Sequence, residues 1–158
     1  MKKIFLLISG GTGGHIIPAK NLANYILNKG VSCSILTDKR GHKYINKFKG
    51  NIYLVKSSNL NGNIFSKFLG IIYLILGFFQ SFLIILKLKP TIVISFGSYA
   101  SFTPVLCCLL LKPFFNCKIF IHEQNSVLGR TNKFFLKYIN KLFLNFNILS
   151  KINKKFHN

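Results

Sequence analysis

Acidic residues are almost missing. Asp38 and Glu123 are the only two in 158 residues, against 22 lysines and arginines, and the formal net charge is +20. Two acids and a few scattered histidines are too few for a metal-ligand cluster, so no metal site is expected. Tryptophan is absent and arginine scarce. The lysines are scattered instead of interleaved with aromatics on one platform, which disfavours nucleic acid as the partner. An AT-rich coding bias accounts for part of the lysine excess, and the remainder suits an anionic membrane surface. The four cysteines (Cys33, Cys107, Cys108, Cys117) lack CxxC spacing and lie in apolar runs, so buried free thiols are expected. Met1-Lys2-Lys3 opens like a signal peptide, but its apolar core is too short and runs into a glycine turn. It reads as a first strand. The length suits one domain and is too short for two of ordinary size.

What is present is apolar: half the residues are hydrophobic. Short apolar runs at Ile4–Ser9, Val31–Thr37, Asn51–Val55, Thr91–Ser95, Lys118–Ile121 and Lys141–Phe146 read as strands. Helical patterns fall at Ile16–Asn28, Lys43–Phe48, Tyr99–Leu111 and Thr131–Asn140. The alternation predicts a doubly wound parallel α/β sheet, Rossmann-like, over residues 1–146, with residues 147–158 a linker or frayed tail. Ligands of such sheets bind beyond the C-terminal strand ends. Ser9–His15, Phe96–Tyr99 and His122–Asn125 all fall there.

Gly10-Gly11-Thr12-Gly13-Gly14-His15 joins a strand to a helix. Glycines allow close approach of a phosphate, and the helix N-terminus offers free N–H groups and its positive dipole end. No Gly-Lys-Ser/Thr follows, so this is no P-loop. The spacing is not GxGxxG either, which disfavours a nicotinamide dehydrogenase, although Asp38 after the second strand keeps that reading open. His15, at the helix start, is placed to be a neutral general base. Phe96-Gly97-Ser98-Tyr99 is a second small-residue turn, supplying N–H donors and the Tyr99 ring or serving only as a strand-to-helix connection. His122-Glu123-Gln124-Asn125 follows a strand with consecutive hydrogen-bonding side chains, suited to sugar hydroxyls or acid/base work.

The apolar block Ile64–Leu86 is long enough to span a bilayer. Ser66, Lys67, Gln80 and Ser81 interrupt it, Gly70 and Gly77 weaken a single helix, and a strand of the same sheet follows directly. A surface-docking helix or helix pair is favoured over a span or a buried core helix. Its docking residues would be Phe65, Phe68, Leu69, Ile72 and Phe79, with Lys67 and Lys87 at the rim.

These motifs, with Gly129 and Thr131-Asn132-Lys133 beyond them, resemble the MurG family of N-acetylglucosaminyltransferases. The resemblance runs from Lys3 to about Phe146. It implies the N-terminal half of a GT-B fold and a metal- and cofactor-independent, inverting transfer of GlcNAc from UDP-GlcNAc to undecaprenyl-pyrophosphoryl-MurNAc-pentapeptide (lipid I). The family's place is the cytoplasmic face of the bacterial plasma (inner) membrane, where it is held peripherally. Carried over by motif, His15 would deprotonate the acceptor C4 hydroxyl. Thr12, Gly13, Gly14 and Asn125 would contact the sugar nucleotide or phosphates. Gly97, Tyr99, His122, Glu123 and Asn132 would shape the acceptor site.

Two departures matter. Ser98 stands where the family usually has a second glycine, so a positive φ there would be strained. The family's donor-binding C-terminal domain also has no counterpart within these residues. The chain is therefore expected to be a truncated enzyme, or one half of a split enzyme whose partner chain supplies that domain, and activity alone is doubtful. A non-catalytic membrane-docking, lipid-phosphate-binding module or a decayed gene product is the alternative.

Overall fold

The computed structural model describes residues 3–146, so the tail expected over 147–158 lies outside the described residues. Six strands form one sheet: β1 (Ile4–Ile8), β2 (Ser32–Thr37), β3 (Asn51–Leu54), β4 (Ile92–Ser95), β5 (Lys118–Glu123) and β6 (Lys141–Leu144). Their order is β3-β2-β1-β4-β5-β6, with every neighbouring pair parallel. This is the doubly wound Rossmann-like arrangement. Its strand order reverses between β1 and β4, opening a crevice at their C-terminal ends.

Alternation along the strands fills both faces. On β1, Leu7 faces a core with Ile16, Ala19, Ala23 and Ile26 of helix α1 (Gly13–Asn28). Leu6 and Ile8 face the opposite core with Val105, Cys108 and Leu111 of α4 (Phe102–Phe115). All four cysteines are buried and unpaired. Burial pushes the thiols of Cys33 and Cys107 up to about 12.

Several local expectations need correction. The helix expected at Lys43–Phe48 is instead α2 (Lys39–His42), started by the Asp38 carboxylate, which accepts from the Gly41 N–H. Helix α1 begins at Gly13, not Ile16, so Gly13, Gly14 and His15 belong to its first turn. The helix expected from Tyr99 starts as a 3₁₀ turn, Tyr99–Ser101, and continues through Pro113 to Phe115. The helix expected at Thr131–Asn140 is α5, which covers only Arg130–Phe135. His122 and Glu123 close strand β5 and do not sit in the loop after it.

The apolar block is one continuous helix, α3 (Ile64–Leu88), and not a pair. Asn63 caps its start by accepting from the Ser66 N–H, and Lys89 in the left-handed region followed by Pro90 ends it. Of the residues that looked like interruptions, Gly70, Gly77, Gln80 and Ser81 lie on its inner face, while Ser66 and Lys67 are exposed. Gly70, Gly77, Ser81 and Ile85 are its buried positions. A Cβ at Gly77 would overlap the Lys56 carbonyl oxygen. Gln80 Oε1 accepts the Lys56 N–H at 2.8 Å. Ser81 Oγ donates to the Gly77 carbonyl, and Cys107 of α4 donates to the Phe78 carbonyl. The outer face is apolar and open: Phe65 is 71% exposed, Phe68 63% and Phe79 59%, with Leu69 and Ile72 also exposed. Lys67 and Lys87 are exposed beside them. This is not a buried core helix. By length and composition alone α3 is apolar enough to cross a membrane. It connects β3 to β4 of one parallel sheet, however, and packs along α4.

Candidate functional site

The three segments expected at the sheet edge converge there. The first two follow the adjacent strands β1 and β4, so they flank the reversal point, and the third ends β5. Together with Leu60, Leu74 and Phe102 they line a cleft of about 640 Å³ that includes His15, Tyr99, Glu123, Asn125 and Asn132.

His15 is anchored through one nitrogen. Its Nδ1 lies 2.8 Å from the Phe96 carbonyl oxygen and 2.9 Å from Gln124 Oε1. A carbonyl oxygen can only accept, so Nδ1 carries the hydrogen. In the neutral ring Nε2 then keeps its lone pair. Gln124 in turn donates through Nε2 to the His122 carbonyl at 2.7 Å and to His122 Nδ1 at 2.9 Å. One amide thus connects both histidines of the edge. The His122 ring packs against Phe96, centroids 5.1 Å apart. Burial pushes the His122 imidazole below its ordinary value, while the Glu123 charge and a bond from Asn145 oppose that shift.

Glu123 is fully buried and accepts on both oxygens. Oε1 takes the Asn125 backbone N–H at 3.1 Å and its side-chain amide at 2.9 Å. Oε2 takes the Gly129 N–H at 2.9 Å and Asn132 Nδ2 at 2.8 Å. With both oxygens committed, the carboxylate organises the loop from Asn125 to Asn132 more than it faces a ligand. Asn132 carries this order to β4. A Cβ on Gly97 would stand 2.9 Å from Asn132 Nδ2, and Gly97 has φ +81°, so both space and backbone demand glycine there. Asn132 Oδ1 is buried with no partner among the described residues.

Asp38 plays the matching part on the other side. Its Oδ1 accepts from the N–H groups of Gly11 (3.0 Å) and Gly41 (2.8 Å), and its Oδ2 from Ser57 Oγ (3.1 Å) and Arg40 Nε (3.3 Å). Burial pushes this carboxyl up, but the four hydrogen bonds outweigh burial and hold it below its ordinary value. The Arg40 guanidinium lies 4.5 Å over the Tyr99 ring, joining the two small-residue loops.

Thr12 is the N-cap of α1 and makes no side-chain capping bond. The N–H groups of Gly13 and Gly14 in that first turn have no helical partner and lie open to an anion. Ser98 has φ 76° and ψ 158°, so the strain expected there is present. Its Oγ accepts the Ala100 N–H at 3.2 Å in partial compensation. The sequence did not single out Gln124 or Arg40. The first was legible only as part of its polar run, and the second gave no signal. No group of three His, Cys, Asp or Glu stands close enough to hold a metal ion among the described residues.

Comparison with known proteins bears on the family and the fold. The family model described as the glycosyltransferase family 28 N-terminal domain matches residues 5–144. The chain is similar to the UDP-N-acetylglucosamine–N-acetylmuramyl-(pentapeptide) pyrophosphoryl-undecaprenol N-acetylglucosamine transferase of Rickettsia typhi. Identity is 34% over 152 residues, covering 96% of this chain and 37% of that protein. The enzyme of the same name from Wolbachia pipientis wMel is 42% identical over 133 residues, 84% of this chain and 36% of that one. The chain therefore spans little more than a third of the length of these relatives. Among solved structures, MurG of Acinetobacter baumannii superposes with a TM-score of 0.76 at 23% identity, over 97% of this chain and 44% of that one. The Streptomyces sp. SF2575 glycosyltransferase SsfS6 gives 0.57 at 10% identity, over 83% and 42%. At these identities the two structures speak for the fold.

Proposed function

This chain belongs to the glycosyltransferase family 28 N-terminal domains, and we propose that it is the acceptor-side half of an enzyme transferring GlcNAc in peptidoglycan synthesis. The donor is UDP-GlcNAc, and the acceptor is the polyprenyl-diphosphate-linked MurNAc-pentapeptide, lipid I. The observation that carries this reading is the single-sided anchoring of His15. Phe96 and Gln124 hold Nδ1 in its protonated form, and Nε2 is the nitrogen free to act in the cleft. In that role Nε2 accepts the proton of the acceptor C4 hydroxyl as the oxygen attacks the anomeric carbon and the bond to the leaving UDP breaks. The open N–H groups at Thr12–Gly14 and the N-terminal end of α1 stabilise donor phosphate charge. Asn125, exposed at the cleft, contacts the donor sugar nucleotide. Gly97, Tyr99, His122, Glu123 and Asn132 shape the acceptor side, Glu123 by fixing the loop.

The remaining uridine and sugar contacts come from a second domain, on the same polypeptide or on a partner chain. The exposed apolar face of α3, ringed by lysines, docks peripherally on the anionic cytoplasmic leaflet. Alkaline carbonate is then expected to strip the protein from vesicles, whereas resistance would favour a span.

The test of the catalytic assignment joins the full chain to the C-terminal portion of the Rickettsia typhi relative and follows GlcNAc transfer to a short-chain lipid I analogue. His15→Ala is expected to lower kcat by about a hundredfold or more with the fold intact by thermal melting. Unchanged turnover would remove His15 from the role.

A further inference from the structure

A second cavity, of about 720 Å³, opens beside the catalytic cleft. It is walled by Lys39, Arg40 and His42 of α2, by Lys56 and Ser57 after β3, and by Tyr73 of α3. We propose that this basic cavity is the subsite for the diphosphate of the lipid-linked acceptor, a refinement that rests on the glycosyl-transfer reading above.

Charge is the first argument. The one acid in its wall, Asp38, already accepts from Gly11, Gly41, Ser57 and Arg40. The Arg40–Asp38 contact is the only ion pair among the described residues, so Lys39 and Lys56 face the cavity without a carboxylate partner. The Arg40 side chain is half exposed, and its fork is held against Tyr99 while hydrogens remain for an anion. An Arg fork with flanking lysines is suited to phosphate oxygens.

Position is the second argument. A polyprenyl-diphosphate sugar presents an apolar chain, a diphosphate and a sugar in that order. The protein surface carries a feature for each part side by side: the exposed face of α3, the basic cavity and the cleft of His15, with both cavities bordering α3. The two cavities share Ser58, Asn59 and Tyr99 as a common wall. Helix α3 lends Tyr73 to the basic cavity and Leu74 to the cleft. The Gly-rich loop does not compete for the same anion. Its Gly11 N–H is spent on Asp38, and Thr12–Gly14 face the donor in the reading above. Arg40, with Nη2 beside Gly11, stands between the two anion sites.

The experiment titrates farnesyl diphosphate into the full chain by calorimetry, with inorganic pyrophosphate and phosphatidylglycerol vesicles as parallel arms. The variants are Arg40→Gln and the double Lys39→Ala/Lys56→Ala. Both lysines are exposed and their side chains donate no hydrogen bond among the described residues, so the double variant keeps its melting temperature. In each variant the farnesyl diphosphate Kd is expected to rise about tenfold or more, the loss of one charge-assisted contact. An affinity within about twofold of wild type in both variants overturns the subsite, as does failure of the wild-type chain to bind farnesyl diphosphate. Loss of vesicle binding with farnesyl diphosphate binding unchanged assigns the cavity to membrane headgroups and also overturns it. Transfer that fails the His15 test while farnesyl diphosphate binding still depends on Arg40 breaks the catalytic reading and leaves the subsite standing.

Discussion

The chain's two carboxylates do the same job on opposite sides of the sheet's reversal point, under different electrostatic terms. Asp38, after β2, binds the Gly-rich loop to α2 and has an arginine beside it. Glu123, at the end of β5, binds the Asn125–Asn132 loop with neutral amides alone. A negative charge can be held in a protein interior by enough oriented dipoles without a cation. In a chain of net charge +20 the two acids are thus used as internal clasps, and surface neutralisation is left undone.

The largest effect expected from breaking this comparison is at Glu123. Glu123→Ala strands the donors of Asn125, Gly129 and Asn132 in a buried space and is expected to cost about 3–5 kcal/mol by urea denaturation. A loss below about 1 kcal/mol would show that water replaces the clasp. Asp38→Asn keeps the shape and some acceptor capacity beside a half-exposed arginine, and is expected to cost about 1–2 kcal/mol. Equal losses at the two sites would erase the distinction.

Acid sharpens the comparison further. His122 has a lowered value, so the folded state resists its protonation, and the stability it confers is present above 6.5 and declines as pH falls below that. Asp38 is also lowered, so its contribution is present above 3.8 and is lost as pH falls through its folded value. Melting temperature against pH is expected to drop in these two windows, with His122→Phe removing the upper one and Asp38→Asn the lower. A single transition unaffected by either substitution would contradict the assignment. The smallest effect is a gain: Ser98→Gly relieves a backbone conformation that suits glycine and is expected to add about 1 kcal/mol. A loss of stability would mean that the Ser98 Oγ bond to Ala100 outweighs the strain.

The parallel α/β architecture and the meeting of three segments at one sheet edge were legible in the sequence, because apolar runs of strand length alternate with helical patterns and the small-residue turns follow the strands. The clasps were not. Nothing in local pattern says that Asp38 reaches Gly11 and Gly41, and so α2 was expected several residues too late. Nor does pattern say that both Glu123 oxygens turn inward. Gly70, Gly77 and Ser81 looked like weak points of a helix, because small side chains are informative only once the surface they approach is known. That the GGTGGH and HEQN segments lie at strand ends on one edge was legible, while Gln124 and Arg40 act through tertiary contacts that only the assembled edge reveals.

The seating of α3 separates two properties that usually trade against each other. What holds the helix to the domain is a seam of small residues against the Lys56 main chain, with Ile85 and the partly buried Phe78, Phe82, Ile84 and Leu88 packed on the core. The side chains of Phe65, Phe68 and Phe79 project away from that seam and add little to folding. Polar replacements at Phe65, Phe68 and Phe79 should therefore yield a freely soluble, correctly folded domain, suited to ligand titrations without detergent.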